Sequence, residues 1–396
     1  MPSTERRTSS VSNGPTPWTW HVGEGLPEVN RLAPEWNRLA HVPMGSPTSS
    51  ALWTTCAWAA FGSPRQVLRV HSVRDEEGQL LAVIPLVHKG GLLASWKGVP
   101  DVRHVPCWDF AFAENVAGVA TYIVERLLES ACWIDLHKVP TSGAAFAALT
   151  TSLAETDVLI RTDPVGQDAV LDLSGTWEEL RESLPKRLVS NTEREIRRLN
   201  KMGQLRHQVL TNEEGLDRAL GECFELETKG WKGQYGSPIA RQPETLRFYT
   251  DLAHASARNG LLALCLLKLD DRLIAFDYCL RLQSRIELLK ISYDPTLAKH
   301  SPGNVLRYLM LRDELERGKV SEYHMGLLQS PHGWKQRWAS HVDDLVRLRI
   351  YRRAPRGIFT YLAGPWLRDS LKRIPTLKRA ENCGLRPTEG HRKGRS

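Results

Sequence analysis

Runs of alternating apolar and polar residues, broken by turn signals, mark strands along much of this chain, and between them apolar residues recur at helical spacing. Glu35–Leu39 and Ser49–Phe61 read as helices. Val67–Val73 and Leu80–Val87 read as strands of a hairpin turning at Asp75-Glu76-Glu77-Gly78, with Pro85 pointing to an edge or a bulge. Cys107–Phe112 and Cys132–Leu136 predict further strands, and Gly118–Ser130 and Ser142–Glu155 predict helices. Thr176–Leu184, with Thr176 as cap, and Asn191–Met202, ended by Gly203, predict two connecting helices. The second half then runs strand Gln204–Leu210, helices Glu213–Lys229 and Thr245–Asn259, and a meander of strands Leu261–Leu269, Arg272–Leu282 and Arg285–Tyr293. A helix at Val305–Arg317 closed by Gly318, and a strand at Ser321–Met325, complete the pattern. The prediction is an α+β fold with mostly antiparallel sheets flanked by helices. Its units are a polar segment 1–18, an N-terminal lobe 19–174, connecting helices 175–205, a C-terminal lobe 206–350 and a basic tail 351–396.

Composition adds little to this picture until charge is placed along it. The 396 residues are 41% hydrophobic and 25% charged, as in an ordinary globular protein, and their number suits two domains. Seven scattered cysteines without C-x-x-C spacing argue against a disulfide framework or a zinc site. No metal is expected, and a reducing, cytoplasmic setting fits best. Residues 1–10 lack the apolar centre of a signal peptide, and no uncharged run approaches bilayer length. From Arg347 onward, 14 Lys or Arg face three acidic residues, a net of +11 in a chain whose total is +8, so the rest carries −3. The tail alternates cationic clusters with Gly357–Leu367. Three readings stay open for it, in this order: a helix packed on the body, contact with an anionic membrane surface at the inner face, and contact with nucleic acid.

Chemistry concentrates between Arg285 and Trp338. Ser301 suits an N-cap, Pro302 the first helical position, and Gly303 leaves room for a close approach. The N–H groups of Gly303, Asn304 and Val305 would then face a phosphate or pyrophosphate. Lys290, alternating with Leu288 and Ser292, is a functional cation or an edge lysine. Lys335, between Trp334 and Trp338, is a second cation or a stem packed on rings. Glu227 and Asp294 are candidate bases, although Asp294-Pro295 also suits a turn cap and Glu227 has Lys229 and Lys232 nearby to pair with. No G-x-S-x-G, H-E-x-x-H or Walker A occurs.

The same stretch resembles the C-terminal acyltransferase domain of the GNAT superfamily in its CelD-like branch, with Fem-type transferases as relatives. The resemblance rests on Lys290-x-x-Tyr293-Asp294, on Ser301-Pro302-Gly303, on Glu227-x-x-Gly230-Trp231-Lys232-Gly233 followed by Gly236, and on Gly326 with Trp334-Lys335-x-x-Trp338. Pro295 stands where the family often has an acidic residue, and Trp334 where tyrosine is commoner. The likeness covers residues 175–350 well and the N-terminal half weakly. It implies two tandem GNAT-like lobes and an acyl-CoA co-substrate held at Ser301, Gly303, Asn304 and Val305. It also implies catalysis by Lys290, Asp294, Glu227 and Lys335. The acceptor is expected to be an amine or hydroxyl of a small molecule, glycan or peptide, lined by Trp231, Lys232, Tyr235, Tyr293 and Trp334. An aminoacyl-tRNA-dependent Fem-type transferase and a non-catalytic scaffold are the alternatives.

Overall fold

The computed structural model describes residues 17–40, 46–98, 106–113, 118–153, 156–230, 239–318, 320–328 and 333–372. In chain order, the first half comprises β1 (Thr19–Glu24), α1 (Gly25–Ala40), α2 (Ala51–Phe61), β2 (Val67–Arg74), β3 (Leu80–Lys89), β4 (Ser95–Gly98) and β5 (Ala111–Phe112). It continues with α3 (Val119–Glu129), β6 (Trp133–Pro140), α4 (Ala144–Leu153) and β7 (Val158–Asp172). The second half begins with α5 (Trp177–Ser183), α6 (Lys186–Met202), β8 (Leu205–Leu210), α7 (Leu216–Lys229) and α8 (Pro243–Arg258). It ends with β9 (Leu262–Leu269), β10 (Arg272–Leu282), β11 (Arg285–Tyr293), α9 (Pro302–Arg317), β12 (Glu322–Leu327), α10 (Trp334–Trp338), β13 (His341–Arg352) and α11 (Pro355–Lys372).

All the described strands join one sheet in the order β1-β2-β3-β4-β6-β13-β7-β12-β11-β10-β9-β8, with β5 on β3. The expected α+β class and paired lobes are therefore present, and the two lobes share one continuous sheet. They also exchange strands. β7, from the first half, pairs with β12 of the second, while β13, from the second, pairs with β6 of the first. β7 and β13 meet antiparallel over most of their length, from His341↔Val170 to Arg352↔Val158. Helices reinforce the seam: Phe248 of α8 packs against Trp53 and Phe61 of α2 at ring distances of 5.3 and 5.1 Å.

The halves repeat one another. Each contains a short parallel pair of three residues, Ser95–Lys97 with Trp133–Asp135 and Arg285–Glu287 with Glu322–His324. Elsewhere the pairing is antiparallel, so the parallel contacts of the sheet are confined to these two short stretches.

Local sequence explains most elements. Thr176 accepts the Glu179 N–H while Glu179 accepts the Thr176 N–H, a full capping box for α5. Ser50 caps α2, and Gly318, at φ 65°, stops α9. Several expectations need correction. Pro85 lies inside the sheet, because β4 pairs with Leu86–Lys89 and β5 with Ala82–Val83, and the proline falls between them. The strand expected at Cys107–Phe112 shrinks to Ala111–Phe112, and α6 starts five residues before Asn191. β1, β7 and β13 were not expected at all. β7 is masked by Asp163-Pro164-Val165-Gly166, which reads as a turn. Instead Leu345 pairs with Gly166 and Val346 with Pro164, so Val165 forms a bulge in a continuous strand.

Leu348, fully buried in β13, belongs to the core while its strand joins β6 to β7. Leu348→Ala is expected to cost about 2–5 kcal/mol and to lower the midpoint of a single urea transition. Two resolved transitions, with only one shifted, would contradict a shared sheet.

Candidate functional site at the parting of two strands

β11 and β12 hold together only from Arg285 to Glu287, and α9 begins just after β11. The helix start differs from the simplest expectation. Ser301 adopts a left-handed backbone, φ 48°, and its side chain caps nothing. Its carbonyl instead accepts the N–H groups of Asn304 (2.9 Å) and Val305 (3.2 Å). Of the three amides expected to face an anion, that leaves Gly303. Val305 is fully buried in the core. A Cβ built on Gly303 would meet no atom within 4 Å, so the helix start is open there. Asn304 accepts the Trp338 indole N–H (3.2 Å) and so ties α10 to the start of α9.

The counterpart in the first half is closed. Gly118 precedes α3 in a left-handed conformation, and a Cβ there would lie 3.0 Å from the Trp18 ring, which packs on Tyr122. Trp96 of β4 is buried, with its indole N–H on the Leu127 carbonyl (2.8 Å).

Beneath the open helix start lies a buried ion pair. Arg307 of α9 donates to Asp277 of β10 (2.8 Å) and lies 3.4 Å from the Tyr323 hydroxyl of β12. The Trp334 ring covers its guanidinium at 3.9 Å. Burial works against both charges: for Arg307 the Asp277 carboxylate outweighs it and the pKa stands above its ordinary value, whereas for Asp277 burial outweighs Arg307 and raises the carboxyl pKa. The Trp334 face expected to meet substrate is thus occupied by Arg307.

Lys335 reaches from α10 to β12. Its Nζ donates to the Leu327 carbonyl (2.9 Å). Gly326 has φ 75°, and a Cβ there would sit 3.6 Å from that Nζ and 3.9 Å from the Leu288 carbonyl of β11. The Lys335 ammonium is therefore held on β12, beside the Gly326 backbone that approaches β11 at Leu288.

Lys290 faces the other side of the sheet. Tyr278 pairs with Lys290 but Cys279 pairs with Leu288, so Leu289 is a bulge. The bulge breaks the expected alternation: Leu288 packs in the α9-side core, whereas Lys290 lies 5.2 Å from the Tyr249 ring of α8. Glu227, fully buried at the end of α7, accepts the Ile239 N–H (2.8 Å). A Cβ on nearby Gly230 would lie 3.0 Å from the Ser292 hydroxyl, so this end of α7 lies against β11. Glu227 and Lys290 thus belong to one face, and Gly303 and Asn304 to the other.

Two candidates do not join them. Asp294 caps the 3-10 turn Pro295–His300: it accepts the Thr296 N–H (2.9 Å) and hydroxyl (2.6 Å) and pairs with Arg272. Burial acts against its charge, but these partners outweigh it and lower the pKa, the opposite of what a base needs. Tyr293 is exposed at the strand end and pairs with Ala275 of the α9-side core. Trp231, Lys232 and Tyr235 lie outside the described residues.

Sequence reasoning missed Arg307 and a second charged cluster at the base of the gap. Arg285 pairs with Glu287 (2.7 Å), and His324 bonds Asp168 (2.7 Å) and Glu322 (3.0 Å). Burial and Arg285 oppose a charge on His324, yet the carboxylates prevail and raise its pKa to about 9. Charged residues two apart inside a strand, Arg285 and Glu287, were the available signal.

With this geometry in view, comparison with known proteins becomes informative. The sequence model described as an acetyltransferase (GNAT) domain matches residues 186–336, which hold β11, β12, α9 and Lys335. Residues 186–336 are thus similar to a GNAT acetyltransferase domain. The chain's fold is also that of the Fem-type relatives. FemX superposes with a TM-score of 0.59 at 11% identity, covering 83% of this chain and 98% of that one. The C-terminal domain of a protein from Agrobacterium fabrum described as a lysylphosphatidylglycerol synthetase gives 0.50 at 11% identity, covering 87% and 97%. At such identities these likenesses concern fold. No curated protein matches in sequence. Within the matched stretch, the start of α9 is open at Gly303.

Asp277→Asn is expected to destabilise the protein by about 3–5 kcal/mol, because a buried guanidinium loses its counter-charge. The joint change D277L/R307M should cost less than either single change in urea unfolding. His324 titrates near 6.5 when unfolded and about 9 when folded. Its contribution to stability is full below pH 6.5 and is lost as pH rises through 9. His324→Gln should flatten the fall in stability over that window; an unchanged slope would assign the fall to other groups.

Proposed function

We propose that the protein is an acyl-CoA-dependent acyltransferase that transfers an acyl group to an amine or hydroxyl. The observation carrying this reading is the arrangement around the parting: an open helix start at Gly303, strands that part after three paired residues, and the Lys335 ammonium on β12 beside them. A thioester fits this layout in one orientation. Its pyrophosphate lies at the Gly303 N–H and the positive end of α9. Its acyl end passes between β11 and β12 toward the face that holds Glu227 and Lys290.

The chemistry then needs little movement. The acceptor nitrogen or oxygen attacks the thioester carbonyl and its proton passes to Glu227, the more enclosed of the two candidate carboxylates. Lys335 stabilises the oxyanion, and collapse breaks the C–S bond to release coenzyme A as its thiolate, which takes up the proton held by Glu227 and leaves as the thiol. Lys290, beside the Tyr249 ring, orients an anionic part of the acceptor. That acceptor is a small molecule, glycan or peptide. Cytoplasmic placement belongs to the proposal, since the described cysteines are free thiols.

Acetyl-CoA and longer acyl-CoAs are expected to bind saturably, one per chain, in calorimetric titration. Gly303→Glu should weaken binding at least tenfold, since a carboxylate would stand where the pyrophosphate lies. Lys335→Ala should lower kcat by about 10²-fold or more with little change in donor affinity. Absence of binding by every thioester would overturn the CoA reading, and charged tRNA would be the next donor to try.

A further inference from the structure

Large apolar side chains exposed among the described residues are few, and most of them gather at one edge of the first lobe. Leu92 and Leu93 form the tip of the β3–β4 turn, and Ile358, Phe359 and Leu362 belong to α11. Leu92 is 74% exposed, Phe359 58% and Leu362 69%, far beyond the incidental exposure of a packed residue.

Backbone bonds hold these two elements side by side. The Ala94 carbonyl accepts the Cys132 N–H (2.8 Å), and the Cys132 carbonyl accepts the Arg352 N–H (3.0 Å), three residues before α11 begins. Leu92 and the first residues of α11 line one shallow cleft. The inner side of α11 is already engaged. Tyr361 packs edge-on against Tyr351 (5.4 Å), which stacks on Trp133 (5.7 Å). Phe359 and Leu362, three residues apart, lie together on the outer side. The turn tip is equally unencumbered, as Gly90 and Gly91 have no neighbours where a Cβ would stand.

Positive charge surrounds these side chains. Lys89, Arg352, Arg353 and Arg356 are exposed beside them, and Arg353 also pairs with Asp157 (3.1 Å). Arg347 and Arg349 do not contribute, because Asp135 and Asp163 hold them in the body. From Arg352 onward the sequence carries twelve Lys or Arg against three acidic residues.

We infer that this edge, the Leu92–Leu93 tip together with the outer side of α11, docks the protein on an anionic lipid bilayer. Leucine and phenylalanine enter the acyl boundary while the arginines stay at the headgroups. The combination distinguishes a bilayer from other partners. Nucleic acid would use the arginines but gives leucines on a convex tip nothing to bury in. A second copy docked on the same face would bring one cationic rim against another.

The test is cosedimentation of the full-length protein with vesicles of phosphatidylcholine, with and without phosphatidylglycerol. Binding is expected to the anionic vesicles and to weaken with salt. Phe359→Ser with Leu362→Ser, and separately Leu92→Ser, should each reduce it about tenfold while near-ultraviolet dichroism stays unchanged. Arg352→Gln with Arg356→Gln should reduce binding to anionic vesicles about tenfold as well. Wild-type affinity in the apolar variants would overturn insertion and leave charge adsorption alone. Binding of duplex oligonucleotide without vesicle binding would overturn it in favour of nucleic acid. Self-association that the apolar variants abolish, without vesicle binding, would overturn it in favour of a second copy. Since the donor site is not involved, acetyl-CoA titration of the same variants reports separately on the proposed enzyme.

Discussion

The site depends on one buried ion pair. Arg307 reaches from α9 to Asp277 on β10, beside Tyr323 of β12 and beneath Trp334 of α10. A guanidinium in an apolar core is costly unless its charge and donors are met, and here carboxylate, hydroxyl and indole together meet them. Once they do, the helix, the two strands and the short α10 have little freedom relative to one another. Asn304 and Trp338 add a hydrogen bond at the surface of the same joint. The open start of α9 and the gap beneath it are therefore fixed by packing behind them rather than by anything in the gap.

The repeated halves explain why there are two strand partings and only one candidate donor site. β4 with β6 and β11 with β12 have the same short parallel contact. Exchange of β7 and β13 then makes each half depend on the other for the outer partner of its second parallel strand. Within that symmetric frame the first half covers its helix start. Trp18 covers the helix start at Gly118, and Trp96 is buried on the parting strand. In the second half the helix start at Gly303 is open, and Lys335 reaches β12 beside the parting. The first half supports the shared sheet and contributes, at Leu92, one side of the exposed edge that α11 completes.

Much of the fold was legible because local signals agreed with it. The hairpin β2–β3, the meander β9–β11, the capping box at Thr176 and the Gly318 stop all follow from residue types at their own positions. The strands that knit the lobes were not legible. β7 contains Pro164 and Gly166, which signal a turn and instead form a bulge, and the charges Arg347 and Arg349 in β13 find their partners on β6 and β7. At the site, Gly303 and Lys335 could be picked out, whereas Ser301 as a side-chain cap could not survive its left-handed backbone. Lys290 was singled out with the wrong neighbours, since a bulge at Leu289 cannot be read from alternation. Arg307 and Asp277 are far apart in sequence, and nothing local shows that they meet.

The most direct measurement is amide hydrogen exchange of the full-length protein with and without saturating acetyl-CoA. The account predicts slower exchange in residues 302–307 and along 285–293 and 322–328, with no change at 118–122. Slowing at the start of α3, or saturable binding that leaves the start of α9 untouched, would contradict the assignment of the donor to the parting of β11 and β12.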